Sequence, residues 1–162
     1  MVVGAPNFEA WYRAEHPALL ASLTLMSGAP DLAREVVDEA LARALERWDR
    51  VGGMASPGGW TYRVAVNCLR RQQRRSVLER RFHLQGEGVV EPVEPTGALW
   101  TLVRALPPRQ RDVIVLRYVA DLSQEDIAVA LGVTRSTVSS TLTQAHRALA
   151  AHERSEEARS HD

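Results

Sequence analysis

The segment from 106 to 149 constrains the fold of this chain more than any other stretch. Near its start stand Pro107 and a second proline, which can only open a helix because proline lacks an amide hydrogen and has a fixed φ. Ser123 is a good N-cap, Gly132 suits a tight turn, and Thr134 can cap the helix that follows. A helix, a short turn containing glycine and a second helix predict a helix-turn-helix unit.

The last helix of this segment has two contrasting faces at 100° per residue. One narrow stripe is apolar and is expected to face the core: Val138, Leu142, Ala145 and Leu149. The opposite side carries short hydrogen-bonding side chains and an arginine: Ser136, Ser140, Thr143 and Arg147, flanked by Ser139 and Gln144. Such a face suits the base edges and phosphates of a DNA major groove. The alternative is an ordinary αα-hairpin with a solvated polar face, which explains the caps and the glycine turn less well.

Composition excludes several classes of protein. All twenty basic residues are arginine, so lysine-based phosphate loops and Schiff-base chemistry are excluded. Cys68 is the single cysteine, which leaves no internal disulfide or cysteine-based zinc site, and we read it as a small buried residue. The five histidines show no metal-ligand spacing and no nucleophile motif appears, so we predict no catalytic residue, metal or cofactor. No stretch is long and apolar enough for membrane insertion, which makes a cytoplasmic protein the default expectation.

The N-terminal third predicts helices with a charged outer face. Asn7 can cap a first helix, in which Pro17 either introduces a kink or starts a second helix. Asp31 is expected to cap a helix from 32 to about Trp48, whose apolar residues follow the helical period. The other face of this helix carries charges that include Glu35, Asp38, Glu39 and Arg43. It is either a solvated surface or an acidic docking face for a basic partner.

Charge is strongly segregated in the next predicted helix, 60–82. This stretch holds seven arginines and one acidic residue, whereas residues 1–50 hold eight acidic residues and five arginines. A sector of about 60° on the helical wheel contains Arg63, Asn67, Arg70 and Arg74. With Trp60 and Tyr62 at its start, this basic stripe suits contact with a nucleic-acid backbone and stacking on bases. The alternative is a solvated arginine face.

The remaining segments complete an all-α prediction of two small helical domains. Residues 83–97 are rich in Gly, Pro and Glu and read as a flexible acidic linker. We therefore place a first domain at 5–82, a second domain with the helix-turn-helix at 98–151, and a disordered tail at 152–162.

This order of elements resembles the extracytoplasmic-function sigma factors, the two-domain group of the sigma-70 family of RNA polymerase specificity factors. Three stretches carry the resemblance, in the family's order: DLAREVVDEALARALERW from Asp31, WTYRVAVN from Trp60, and LPPRQRDVIVLRYVADLSQEDIAVALGVTRSTVSSTL from Leu106. They look like the polymerase-docking helix, the promoter-melting segment and the DNA-reading domain of that family. The resemblance implies core RNA polymerase and promoter DNA as partners, and an anti-sigma factor as a further partner to test for.

The resemblance also implies roles for individual residues. The helix that begins at Asp31 would dock on the polymerase, through the charged residues named above. Tyr62, Asn67 and the loop before Trp60 would capture an unstacked base of the minus-ten element, and phosphates would be held by Arg63, Arg70, Arg71 and Arg74. The minus-thirty-five element would meet Ser136, Ser139, Ser140, Thr143 and Gln144, together with Arg135 and Arg147 on the recognition helix. Arg117 and Gln124 would contact the backbone of that element.

One departure from the family pattern bears on DNA affinity. Positions 139, 141, 144 and 146 commonly carry lysine or arginine in the family, and here they are Ser139, Thr141, Gln144 and His146. Fewer phosphate contacts predict weak upstream-element binding with a shallow salt dependence. The competing interpretation of the chain is a stand-alone helix-turn-helix regulator, which would leave the basic helix and the acidic linker without a role.

Overall fold

The computed structural model describes residues 7–82 and 97–159, and these residues form α-helices with no strand. The helices are α1 (Phe8–Ser27), α2 (Pro30–Glu46), α3 (Trp48–Val51), α4 (Pro57–Phe82), α5 (Ala98–Ala105), α6 (Pro108–Tyr118), α7 (Gln124–Leu131) and α8 (Arg135–Arg159). The prediction of an all-α chain is confirmed for this part of the protein.

The N-terminal unit, α1 to α4, is built on α1, α2 and α4, which pack on one another. Asn7 caps α1 as expected, because its Oδ1 accepts a hydrogen bond from the Glu9 amide at 2.9 Å. Pro17 lies inside α1, which runs past it as one helix. Gly28 ends α1 in the left-handed conformation at φ 66°, where a side chain would be strained.

Two boundaries in this unit differ from the prediction. Asp31 does not cap α2: the helix begins at Pro30, its N-cap Ala29 makes no side-chain cap bond, and Asp31 pairs instead with Arg34. Proline at the first helical position replaces the side-chain cap, because its φ is already helical and it has no amide to satisfy. The basic helix begins at Pro57, three residues before Trp60, so the loop preceding it is shorter than predicted.

The C-terminal unit, α5 to α8, contains the predicted helix-turn-helix in α7 and α8. Ser123 caps α7 by accepting from the Asp126 amide at 3.1 Å, and Gly132 ends it at φ 67°. Thr134 Oγ1 accepts from the Thr137 amide at 3.2 Å, which starts α8. The stripe predicted to face the core is buried at Val138, Leu142 and Ala145 and half-buried at Leu149. Each local signal for this motif therefore acts at the position predicted.

The two units pack against each other, with α7 on α4 and α6 on α1. One buried apolar cluster runs through both units, from Leu23 and Val66 to Ile127 and Val138. The two-domain prediction did not include this contact. Of the predicted acidic linker, 83–96 lies outside the described residues.

The prediction of a disordered tail from 152 is wrong as far as Arg159, because α8 continues to that residue. Two side chains donate to main-chain carbonyls in these last turns: Ser155 Oγ donates to the Ala151 carbonyl at 2.9 Å, and Arg159 Nε donates to the Ser155 carbonyl at 3.4 Å. Residues 160–162 lie outside the described residues.

Candidate nucleic-acid and polymerase-binding surfaces

The basic stripe predicted on α4 is present at the surface. Arg63, Asn67 and Arg74 are exposed, and Arg70 is half-buried. The stripe continues beyond the predicted residues into a groove of about 480 Å³, whose lining includes Arg74, Leu78 and Arg81. Arg81 follows Arg74 by seven residues, or two helical turns, so the same spacing could have identified it from sequence. Arg71, also predicted, is exposed on a neighbouring side of α4.

The position of Tyr62 differs from the prediction, which placed this residue at the DNA-binding surface. Its side chain is 1% exposed, and its hydroxyl lies 3.4 Å from Ser22 Oγ of α1 within the core. Burial raises the pKa of Tyr62 to about 12. The helical period explains the placement, since Tyr62 lies one turn before Val66 and on the same buried side. In this structure Tyr62 supports α4 from within and cannot stack on a base, whereas Trp60 is half-buried at the surface.

Arg70 has a role that the sequence did not predict. Its Nη1 donates to the main-chain carbonyl of Leu131, the last residue of α7, at 3.0 Å. Asp112 of α6 lies close enough for the Arg70 charge to act on it, although burial dominates and raises the pKa of the Asp112 carboxyl to about 6. Arg70 therefore joins the basic stripe to the helix-turn-helix unit.

On the predicted docking face of α2, two acidic residues are exposed and a third one contacts α4. Glu35 and Asp38 are exposed. Glu39 instead accepts from Cys68 Sγ at 2.8 Å and from Arg71 at 3.0 Å, both on α4, and it also pairs with Arg43. The Cys68 hydrogen bond, with help from the two arginines, lowers the pKa of Glu39.

The pKa of Cys68, the hydrogen-bond partner of Glu39, is raised instead of lowered. It is 2% exposed, and burial, followed by the Glu39 carboxylate, raises the pKa of its thiol to about 11. The thiol therefore stays protonated near neutral pH and resists alkylation, as expected for a small buried residue.

The recognition face predicted on α8 is solvent-exposed along its length: Ser136, Ser139, Ser140, Thr143, Gln144 and Arg147. Two hydroxyls donate to the preceding turn of the helix, Ser140 to the Thr137 carbonyl and Thr143 to the Ser139 carbonyl, so their oxygens remain as acceptors. This leaves a smooth face of small polar groups that a groove edge can approach closely.

Two arginines with predicted DNA contacts, Arg117 and Arg135, are engaged within the protein. Arg117 Nη1 donates to the Leu122 carbonyl at 3.2 Å. Arg135 Nε pairs with Glu125 at 3.0 Å, and Gln124 is half-buried at the start of α7. In this conformation the recognition helix therefore presents little unpaired positive charge.

Family models match both units of the chain. Sigma-70 region 2 matches residues 11–77, and sigma-70 region 4 matches residues 96–149. The RNA polymerase sigma-E factor of Streptomyces avermitilis is 33% identical over 149 residues, which cover 89% of this chain and 82% of that protein. The chain is an extracytoplasmic-function sigma factor of the sigma-70 family. Such a sigma factor binds core RNA polymerase and directs promoter-specific transcription initiation.

Further relatives agree with this assignment. The sigma-E factor of Streptomyces coelicolor is 32% identical over 149 residues, covering 89% of this sigma factor and 82% of the relative. The sigma factor SigV of Bacillus subtilis is 28% identical over 120 residues, covering 71% and 72% of the two chains.

Two solved structures share the fold of this sigma factor. RpoE of Bartonella quintana, solved in complex with the anti-sigma factor NepR, matches with a TM-score of 0.67 at 22% identity, covering 88% of this chain and 93% of that one. CnrH in complex with the cytosolic domain of CnrY matches with a TM-score of 0.61 at 19% identity, covering 94% and 92%. Among residues 7–82 and 97–159, no helix of this sigma factor combines the length and the apolar character that crossing a bilayer requires.

Proposed function

We propose that the roles of this sigma factor are divided among three surfaces. Glu35 and Asp38 on α2 bind the polymerase, the basic stripe of α4 binds the melted minus-ten strand, and the outer face of α8 reads the minus-thirty-five element. The observation that carries the proposal is the separation of charge: carboxylates are exposed on α2, and guanidinium groups line one sector of α4. Opposite charges suit the two partners, because DNA phosphates require cations and an acidic face suits a basic protein surface.

Within the minus-ten surface, Asn67 contacts the unstacked base and Arg63, Arg74 and Arg81 hold the strand backbone. Trp60 supplies an aromatic edge at the start of the stripe. An exposed amide beside arginines fits this task, since an extruded base is read by hydrogen bonds while its phosphates are neutralised by cations. Tyr62 contributes indirectly, by packing α4 against α1 within the core.

The chain acts as an initiation factor without catalysing a reaction itself, and it works in the cytoplasm with the polymerase. Support comes from the family, because sigma-70 factors are transcription initiation factors of the polymerase. An anti-sigma factor is proposed as a further partner, because RpoE and CnrH, two proteins of similar fold, were solved with proteins bound to them, and RpoE with one named as an anti-sigma factor.

Run-off transcription tests the minus-ten surface. Purified core polymerase and this protein are first used on sheared genomic DNA to find a promoter. On that promoter we expect Arg63→Ala combined with Arg74→Ala to reduce transcript at least tenfold, because two phosphate contacts are lost. Permanganate footprinting should show less unpaired thymine around the start site.

The matched control removes two exposed arginines from other helices. Arg13→Ala combined with Arg34→Ala changes the net charge equally, and both arginines lie in exposed ion pairs within their own helices. Such pairs contribute little to stability. Equal loss of transcript in the two double variants would mean that overall charge, and not the stripe, controls promoter melting.

A further inference from the structure

Two hydroxyl groups on the outer face of α8 have a fixed hydrogen-bond direction. Ser140 Oγ lies 3.0 Å from the Thr137 carbonyl oxygen, and Thr143 Oγ1 lies 3.1 Å from the Ser139 carbonyl oxygen. A carbonyl oxygen can only accept, so in each pair the hydroxyl donates its single hydrogen. Each hydroxyl oxygen is left with lone pairs, which can only accept a hydrogen bond from a partner outside the helix.

Both acceptors belong to the part of α8 that is proposed to enter the major groove. Ser140 and Thr143 are exposed and lie opposite the buried side chains of Val138 and Leu142. Three residues of a helix span about 4.5 Å along its axis, and base pairs are stacked about 3.4 Å apart. A recognition helix in the groove therefore presents the two acceptors to one base pair or to two neighbouring ones.

The major groove separates the four bases into two groups for such an acceptor. Each base pair shows one amino group there, which belongs to adenine or to cytosine. The opposite base, thymine or guanine, shows a keto oxygen, which an acceptor cannot bind. Because adenine and cytosine both carry an amino group at this edge, an acceptor distinguishes them from guanine and thymine but does not distinguish adenine from cytosine.

We propose that Ser140 and Thr143 select an amino-bearing base, adenine or cytosine, on one strand of the minus-thirty-five element and discriminate against guanine and thymine. This inference rests on the proposed role of the α8 face. A free hydroxyl suits either group of bases, because it rotates to donate or to accept. Here donation to a keto oxygen requires the hydroxyl to leave its main-chain carbonyl, so the bonds within the helix set the preference.

Run-off transcription from a promoter library tests the preference. The library places every base pair at each position of the upstream element, and core polymerase is used together with this protein. At one or two adjacent positions, we expect adenine and cytosine on the same strand to give similar amounts of transcript. Guanine or thymine should give about fivefold less, as the loss of one uncharged hydrogen bond predicts.

Variants identify the positions that each side chain reads. Thr143→Val keeps the shape of the side chain without its hydroxyl, and Ser140→Ala removes the other hydroxyl. Each variant should lose the preference at its own position and keep the wild-type preference elsewhere. Ser155→Ala is the matched control, because it removes an equivalent bond to a main-chain carbonyl, that of Ala151 at 2.9 Å, from an exposed position of α8 beyond the face. This control should leave every preference unchanged.

A base analogue tests the contact directly. Purine deoxyriboside has the ring system of adenine without its amino group. On a promoter with adenine at the selected position, this replacement should lower the transcript about fivefold with the wild type and have little effect with the variant that lacks the corresponding hydroxyl. Any weakening of the base pair itself affects both proteins equally. Equal losses with the two proteins would overturn the inference.

The two proposals fail in different ways. If the α8 face does not read the upstream element, neither Thr143→Val nor Ser140→Ala changes the preference at any position. If only the base selection is wrong, the variants still change a preference, but the wild type favours guanine or thymine there, or distinguishes adenine from cytosine.

Discussion

At the scale of single residues, a few partly buried charges lie at the junction between the units. Asp112 lines a polar cavity of about 400 Å³ together with Arg70, Arg109 and Thr137. Its pKa of about 6 is set first by burial, which the charges of Arg70 and Arg111 only partly offset. Such a carboxylate destabilises the folded protein at neutral pH, because its ionised form is better solvated in the unfolded chain.

Asp112→Asn should therefore change the pH dependence of stability. The ordinary pKa of aspartate is about 3.9, so between about pH 4 and pH 6 the folded wild type retains a proton that the unfolded chain has lost. The stabilising contribution of Asp112 to the wild-type free energy of unfolding therefore falls as the pH rises through that window. Above pH 6 this contribution is gone. The variant has no such loss, so its stability relative to wild type should rise by about 2 kcal/mol from pH 4 to pH 7.

Urea unfolding at several pH values measures this difference. Asp121→Asn serves as the control: Asp121 is exposed and has a positive φ of 53°, a conformation that asparagine tolerates. The raised pKa of Asp112 would be contradicted if the stability difference between the Asp112 variant and wild type stayed constant from pH 4 to pH 7.

At the scale of elements, the recognition helix α8 differs from a strongly basic DNA-reading helix. Its outer face offers Arg147 and an Arg135 already paired with Glu125, between small hydroxyl groups. Binding through such a face depends on close approach to base edges more than on phosphate neutralisation. Affinity for an isolated upstream duplex should be weak, and polymerase must supply the remaining binding energy.

Gln144→Arg tests, through the salt dependence of binding, whether the α8 face makes few phosphate contacts. An added phosphate contact should steepen the slope of log K against log salt concentration by about 0.9. Fluorescence anisotropy of an upstream-element duplex between 50 and 200 mM salt, concentrations at which such slopes are well defined, measures it. Gln144→Met, which is similar in size and neutral, should leave the slope unchanged. If both variants show the wild-type slope, position 144 does not face the DNA backbone.

At the scale of the whole molecule, the two units share one buried cluster. The α1–α6 and α4–α7 contacts continue the core of the N-terminal unit into the C-terminal unit. Units that are packed in this way unfold together when the contact contributes a large part of the stability of either one. Tethered units without a contact would unfold independently.

We expect the two units to unfold in one transition. Trp100→Phe leaves fluorescence from the tryptophans of the N-terminal unit, and a variant with Trp100 alone reports on the C-terminal unit. In urea, each fluorescence midpoint should coincide with the midpoint of helix loss measured by circular dichroism in the same variant. Two separate midpoints would show that the interface contributes little to stability in solution.

The sequence by itself determined the features that depend on neighbours along the chain. The caps at Asn7, Ser123 and Thr134, the turn at Gly132 and the buried stripe of α8 were all predicted, because a cap or a helical face is specified within a few residues. The charged sector of α4 was predicted for the same reason, as was the order of motifs that indicated a sigma factor.

Only the tertiary structure decided which side chains remain available. The burial of Tyr62, the engagement of Glu39 by Cys68 and Arg71, and the contact of Arg70 with Leu131 all join residues far apart in sequence. Periodicity places a residue on a face of its helix, but it does not say which other helix covers that face. That depends on how the apolar surfaces of all the helices are buried together, which is a property of the folded molecule as a whole.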